Sequence, residues 1–463
     1  MRTETDLLGK KEISDEVYWG IHTQRAAENF HVTGHRVAGS LVRAVVQVKK
    51  AACEANKELG FLDHARADAV LKACDDLLDG NLMDQFPLDP LQGGAGTSLN
   101  MNVNEVVANR ALEFLGRPRG SYEFIHPLED VNRHQSTNDV FPTAVKIAAI
   151  VQLRHLSARV EALQNALQRK EKEFTGCVTV GHTELQEAVP MTLGTQFSAF
   201  SEAAARDRWR IFKCEERLRQ VNIGGTAVGT GLCAPREYIF LVIEKLRALT
   251  GLNICRGENV ADQTANTDCF VEVSGILKAH ACNLIKIAND LRLLNLLNDI
   301  RLPSVQAGSS IMPGKVNPVI CESVIQAAVL AQACDMMVTE SVARASLQIN
   351  EFLPLLSWAL LRMMSVLGNA DEMLAGYVEQ IRSGPHSGEQ SLNSTAVITA
   401  FVPVVGYKKA EELVHRFETQ SDQSLREFLE EEFGAECVGQ VLSPESLTAL
   451  GFVPGQYRTQ EES

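Results

Sequence analysis

Between residues 141 and 172 the apolar positions Leu153, Leu156, Val160, Leu163 and Leu167 recur at alternating steps of three and four. That spacing puts them on one stripe of a long helix with a single packing face. The segments 273–300 and 319–347 read differently: ILKAHACNLIKIANDLRLLNLLNDI and ICESVIQAAVLAQACDMM carry few charges on any side. A helix that is apolar most of the way round has to be buried on several sides. The few helices of one chain can hardly enclose three of this length, so the pattern predicts a central bundle completed by other subunits, with an ordinary monomeric core as the alternative. Strand-like text is scarce, and KEISDEVYWG (11–20) is its best example. Breaks rich in Gly and Pro fall at GRPRGSYEFIHP (116–127) and IRSGPHSGEQSLN (381–393), where element boundaries are expected. The fold class expected is mainly α, without internal repeats or low-complexity text.

Composition narrows the function classes. The 463 residues are 45% hydrophobic and 22% charged, ordinary for a globular chain with a sizeable core. A formal charge of −14 works against nucleic acid or an anionic membrane surface as partner. Any anionic ligand must therefore be held by local donors. Eleven cysteines without a C-x-x-C pair read as free thiols of a reducing compartment, so a cytoplasmic location is expected, with no disulfide framework and no metal site. The opening MRTETDLLGKKE has no apolar leader, and no run apolar enough to span a bilayer is expected.

Four polar islands interrupt the helical text. In GGAGTSLNMNVNEVVANRALE (93–113) a glycine-rich turn delivers Thr97 and Ser98 just before a helix. In HQSTNDVFPTAVKIAA (134–149) Ser136, Thr137 and Asn138 precede Pro142 near a first helical turn. Hydroxyls at helix starts are commonly caps. A helix N-terminus also offers unpaired N–H groups and a partial positive charge to an anion. GHTELQEAVP (181–190) carries His182, Thr183 and Glu184, and GSSIMPGKVNP (308–318) combines two serines, a lysine and an amide with no histidine beside them.

Several familiar chemistries fail on spacing. Gly308 and Gly314 enclose five residues where a P-loop has four, and Val316 follows Lys315 where Ser or Thr should stand. GGAGTS is not G-x-G-x-x-G, HTELQ is not H-E-x-x-H, and no G-x-S-x-G elbow is present.

Taken together, the four islands resemble the aspartase/fumarase superfamily. GSSIMPGKVNP is similar to its signature loop, the other three follow in the family's order, and the likeness covers nearly the whole chain. The resemblance implies a homotetramer of three-domain subunits around a long helical bundle, with active sites shared between chains. It implies an N-terminal domain over 1–133, a central bundle over 134–388 and a small C-terminal helical domain over 389–463. The chemistry implied is reversible anti elimination from a small succinyl dicarboxylate, releasing fumarate, without any organic cofactor. A proton beside a carboxylate is a very weak acid, so its removal requires preorganised donors for the aci-carboxylate dianion. By resemblance Ser309 is the general base. Lys315, Asn317 and Thr183 grip one substrate carboxylate. Thr97, Ser136, Thr137 and Ser310 hold the one whose charge grows, and Asn138 faces the leaving group.

GGAGTSLNMN, QSTND, AVPMTLG and the opening DLLGKKEISDEVYWGIHTQRAAENF are similar to the members that eliminate ammonia from L-aspartate, whereas MPGK is the spelling of the hydratases. Three positions depart from the family: His182 stands for a usual Arg, Cys233 for Asn, and Glu184 for His or Gln. The family residue at Glu184 pairs with the carboxylate corresponding to Glu322. Two carboxylates there would share a proton and favour a substrate bearing an ammonium. Hydration of fumarate, elimination from another succinyl amine, and a catalytically silent structural role are the alternatives.

Overall fold

The computed structural model describes residues 1–420 and 423–453. The expected C-terminal domain includes 421–422 and 454–463, which lie outside the described residues. The backbone is dominated by helices, and among the described residues strands occur only as two-stranded pairs. The helix expected over 141–172 spans Thr137–Glu173, and Leu153, Leu156, Val160, Leu163 and Leu167 are all buried. The two more apolar segments form the helices Asp268–Leu296 and Val319–Ala343. Two further long helices, Leu193–Leu218 and Leu353–Val378, complete a set of five.

The expectation that no run is apolar enough to span a bilayer is corrected. By length and composition Val319–Ala343 and Leu353–Val378 both qualify, with mean hydropathy 1.4 and 1.2. Core helices pass the same test, and 67% of the apolar stretch in Leu353–Val378 is buried within the protein. In Val319–Ala343 only 33% is buried. Its inward stripe is Cys321, Val324, Ala328, Ala331, Cys334 and Val338, while Val329 and Met336 stand open to solvent.

The chain forms two compact units. The first comprises Met1–Ser157, Trp209–Ala279 and Leu330–Leu367. Its N-terminal hairpin pairs Arg2–Asp6 with Gly9–Ile13, so only the KEI of KEISDEVYWG is strand. The helix Ile21–Asn29 has no side-chain cap of its own. Instead the buried Glu105 accepts from the backbone N–H groups of Gly20, His22 and Thr23, at 2.8, 2.9 and 3.2 Å, satisfying donors that a helix start leaves orphaned. Burial pushes the Glu105 carboxyl up to about 7, against these hydrogen bonds.

The second unit comprises Ala158–Arg208, His280–Val329 and Gly368–Ser463. In it the hairpin Val178–Thr183/Gln186–Thr192 packs Val178 and Val180 into a core with Phe401, Leu413, Phe428, Leu429, Phe433 and Val438. Phe401 and Phe433 stack with ring centroids 4.9 Å apart. The helix Leu425–Phe433 opens on a capping box made by Ser424 and Glu427.

Deep in this unit the His280 ring lies between two buried aspartates. Nδ1 is 3.0 Å from Asp207 Oδ2, and Nε2 is 3.1 and 3.0 Å from the two oxygens of Asp371. Burial alone would lower the imidazole. The attraction of Asp371 and the hydrogen bonds to Asp207 and Asp371 outweigh it and raise it to about 10, so the ring is an imidazolium at neutral pH.

Candidate active site

In the first unit two of the four islands meet. Gly96 precedes the helix Thr97–Phe114 at φ +92. A Cβ on Gly96 would stand 2.2 Å from the Phe141 ring, so the GGAGTS turn needs glycine there to lie against the helix that begins at Thr137. Thr97 is exposed and its hydroxyl donates to Gly94 O at 2.7 Å. One helical turn on, the Asn100 amide donates to Thr137 Oγ1 at 3.2 Å. Thr97 and Ser98 lie inside the first turn of their helix, where the sequence pattern suggested they precede it.

The QSTND island is held from three directions. Ser136 Oγ accepts from Asn138 N at 3.2 Å, and Asp139 Oδ1 accepts from Ser136 N at 2.9 Å, a reciprocal cap. The other Asp139 oxygen accepts from Gly224 N at 3.1 Å and Thr226 N at 2.9 Å, tying the island to the GGTAVGTG loop. Burial raises Asp139 to about 7, opposed by those backbone donors and by Lys49. Pro142 lies inside the helix and has no N–H, so it leaves the Asn138 carbonyl four residues earlier without its helical donor. Asn222 Nδ2 supplies the missing bond at 2.9 Å. The Asn138 side chain in turn donates to Ala227 O at 2.7 Å. Cys233, one of the departing positions, is exposed at φ +71 on the turn that ends this loop.

Beneath the island the Lys49 ammonium, 0% exposed, donates to Asn132 Oδ1 at 2.7 Å and Gln135 Oε1 at 2.9 Å. Burial lowers it to about 7, against the attraction of Asp139. Lys49, Asp139 and Asn222 were not singled out from sequence. The S-x-x-D spacing of a cap was a legible signal for Asp139, whereas Lys49 and Asn222 act over 83 and 84 positions, where no local pattern reaches.

In the second unit GSSIMPGKVNP closes on itself. Gly308 N donates to Lys315 O at 2.8 Å, and Asn317 Nδ2 donates to Gly308 O at 2.8 Å. A Cβ on Gly308 would lie 2.5 Å from that Lys315 oxygen. Inside the loop Ser309 Oγ accepts two backbone N–H groups, from Met312 at 2.9 Å and Ile311 at 3.2 Å. Both donors would stabilise an alkoxide at that oxygen. Asn317 keeps one amide N–H for a ligand. Ser310 and Lys315 are exposed, and Lys315 has no ion-pair partner among the described residues.

Thr183 ends its strand beside the turn residues Glu184 and Leu185, at φ +51 and +62. Two-residue hairpin turns of this kind normally use Asn-Gly, so a Glu-Leu pair there is strained, the kind of outlier that clusters at functional sites. His182, Thr183 and Glu184 are all exposed. Among the described residues no hydrogen bond joins Glu184 to Glu322, which is half-buried in the first turn of Val319–Ala343. Thr97 and Ser136–Asn138 thus belong to one unit, and Thr183, Glu184, Ser309, Ser310, Lys315, Asn317 and Glu322 to the other.

The lyase family matches residues 9–332. Aspartate ammonia-lyase from Helicobacter pylori (strain ATCC 700392 / 26695) is 43% identical over 434 residues, 92% of either chain. That from Escherichia coli (strain K12) is 40% identical over 437 residues, 92% of this chain and 91% of its own. A fumarate lyase:delta crystallin from Brucella melitensis, solved bound to cobalt, superposes with a TM-score of 0.93 at 42% identity, over 97% of this chain and 100% of its own. A class II fumarase from Schistosoma mansoni superposes at 0.90 with 29% identity, over 96% and 99%. A mainly helical bundle chain with these islands is thus defined as a lyase by fold and by sequence alike. The chain belongs to the lyase family, in the aspartase/fumarase superfamily, and is an enzyme, a carbon–nitrogen lyase.

Proposed function

We propose that the protein releases ammonia from L-aspartate to give fumarate, reversibly and by anti elimination, with Ser309 as the base. The observation that carries this is the pair of backbone N–H groups aimed at Ser309 Oγ. An alkoxide held there takes the Cβ proton of aspartate. The electron pair passes into the adjacent carboxylate, giving an aci-carboxylate dianion held by Thr97, Ser136, Thr137 and Ser310. Collapse of that dianion forms the double bond and breaks the C–N bond, with Asn138 facing the departing nitrogen. Lys315, Asn317 and Thr183 fix the second carboxylate. The reading of L-aspartate over malate rests on relatives at 40–43% identity that are aspartate ammonia-lyases, and on Glu184, whose carboxylate suits a substrate ammonium. Glu322 is proposed as the partner of Glu184 once chains assemble.

The open apolar positions Val329 and Met336 on Val319–Ala343 support a homotetramer in which copies of this helix complete the bundle and the sites are shared between chains. The divisions 1–133, 134–388 and 389–463 go with that reading, as does a cytoplasmic location without nucleic-acid or membrane partners. The reaction is tested by following fumarate absorbance with L-aspartate and with L-malate in turn. Fumarate from malate and none from aspartate would overturn it.

A further inference from the structure

In the second unit the short pair Ile300–Arg301/Arg382–Ser383 sets Arg301 directly opposite Arg382. Residues opposed in an antiparallel pair project from one face, and like charges so placed repel. Both arginines are exposed, and among the described residues neither guanidinium has a hydrogen-bond or ion-pair partner. They line an open cleft of about 520 Å³, together with Lys170, Glu173, Ser304 and Glu379. That volume lies within the range of small-ligand sites.

The two carboxylates of the cleft are already engaged. Glu173 binds the Lys170 ammonium at 2.7 Å, and Glu379 is paired with Arg169. Lys170 is itself buried and donates to Ile381 O at 2.7 Å, which fixes the floor. Two positive charges thus remain uncompensated side by side, on a chain whose formal charge is −14. A monocarboxylate satisfies one guanidinium fork. A phosphate, with three acceptor oxygens and close to two charges, can accept from both, and the Ser304 hydroxyl adds a donor.

We propose that this cleft binds a dianionic phosphate, free or at the end of a small ester, between Arg301 and Arg382. Only Val305, Gln306 and Ala307 separate Ser304 from Gly308, so the bound anion holds the stem of the loop that carries Ser309. The binding claim does not depend on the reaction proposed above.

The test is calorimetric titration of the full-length protein with inorganic phosphate at low chloride, repeated with glycerol 3-phosphate. Wild type, Arg301→Gln, Arg382→Gln and the double variant are compared, with Lys315→Ala to separate binding at the loop. Each glutamine is expected to weaken phosphate about tenfold, as loss of one charge-assisted contact should, with Lys315→Ala unchanged. Tighter ester than phosphate identifies a phosphate-ester site, and equal affinity a site for the free anion. Thermal melting gives a second readout. Without phosphate the single variants melt at or above wild type, because repulsion is relieved, and phosphate raises wild type but not the double variant. Saturable phosphate binding that survives unchanged in the double variant, or its absence from wild type, would overturn the proposal, as would an equal phosphate-induced rise in both melting temperatures.

Discussion

Replacing His280 by Leu should destabilise the protein far more than an ordinary core substitution. The ring is 1% exposed and lies between Asp207 and Asp371, also buried at 1% and 0%. Removing the cation takes the hydrogen-bonded counter-charge from the buried Asp371 and one partner from the buried Asp207, and breaking a buried charge cluster by removing one member costs about 3–5 kcal/mol. Linkage gives a similar figure. The imidazole is raised from 6.5 to about 10 in the folded protein, and at 1.36 kcal/mol per unit this amounts to roughly 5 kcal/mol. A raised histidine contributes fully below its unfolded value and loses that contribution as pH climbs through the folded one. The stabilisation is therefore complete below pH 6.5 and fades towards pH 10. The assay is urea unfolding followed by circular dichroism at fixed protein concentration, at about pH 6 and about pH 9.5. The gap between wild type and His280→Leu should shrink by roughly 4 kcal/mol across that interval. Adding Asp207→Asn and Asp371→Leu to His280→Leu should recover most of the loss, since a buried ion cluster replaced as a whole is often neutral. A gap below about 1 kcal/mol at pH 6, or one that widens with pH, would refute the reasoning.

Asp139→Asn should lower kcat/KM by about 10- to 100-fold, as loss of a residue that positions others often does, because it removes charged acceptance from Ser136, Gly224 and Thr226; unchanged kinetics in a folded variant would count against it. Glu184→Gln should weaken kcat/KM for L-aspartate and shift its pH profile while leaving fumarate binding nearly intact, and steady-state kinetics across pH would show the position idle if neither moves. Inactive Ser309→Ala and Thr183→Ala proteins, unfolded together and reassembled, should regain part of the activity if the two residues come from different chains; mixed tetramers that stay silent would contradict a shared site.

The long amphipathic helix was legible because Leu153 to Leu167 repeat locally, and five buried positions suffice to set a face. The hairpin Val178–Thr192 was not. Its alternation is broken by a register shift between Val180 and His182, and its turn is Glu184-Leu185, which carries none of the Asn or Gly that normally marks such a turn. The four islands were visible as polar text, and Ser309, Lys315 and Asn317 stand on a loop closed by its own backbone. What steadies the islands was hidden. Asn222 answers a carbonyl freed by Pro142, and Lys49 sits under Asn132 and Gln135, pairings that exist only once distant segments fold together. The His280 cluster was equally invisible, since nothing in KAHACNL announces two aspartates from other helices.

Turnover by wild type and Ser309→Ala, side by side, tests the central claim most directly. Each is mixed with L-aspartate near neutral pH while fumarate absorbance and released ammonia are recorded, with size-exclusion chromatography confirming equal assembly. The account predicts equimolar fumarate and ammonia from wild type and a loss of at least about a thousandfold in kcat for Ser309→Ala, as removal of a base that acts in the transition state requires. A Ser309→Ala enzyme that keeps its rate on aspartate, in the same oligomer, would contradict it.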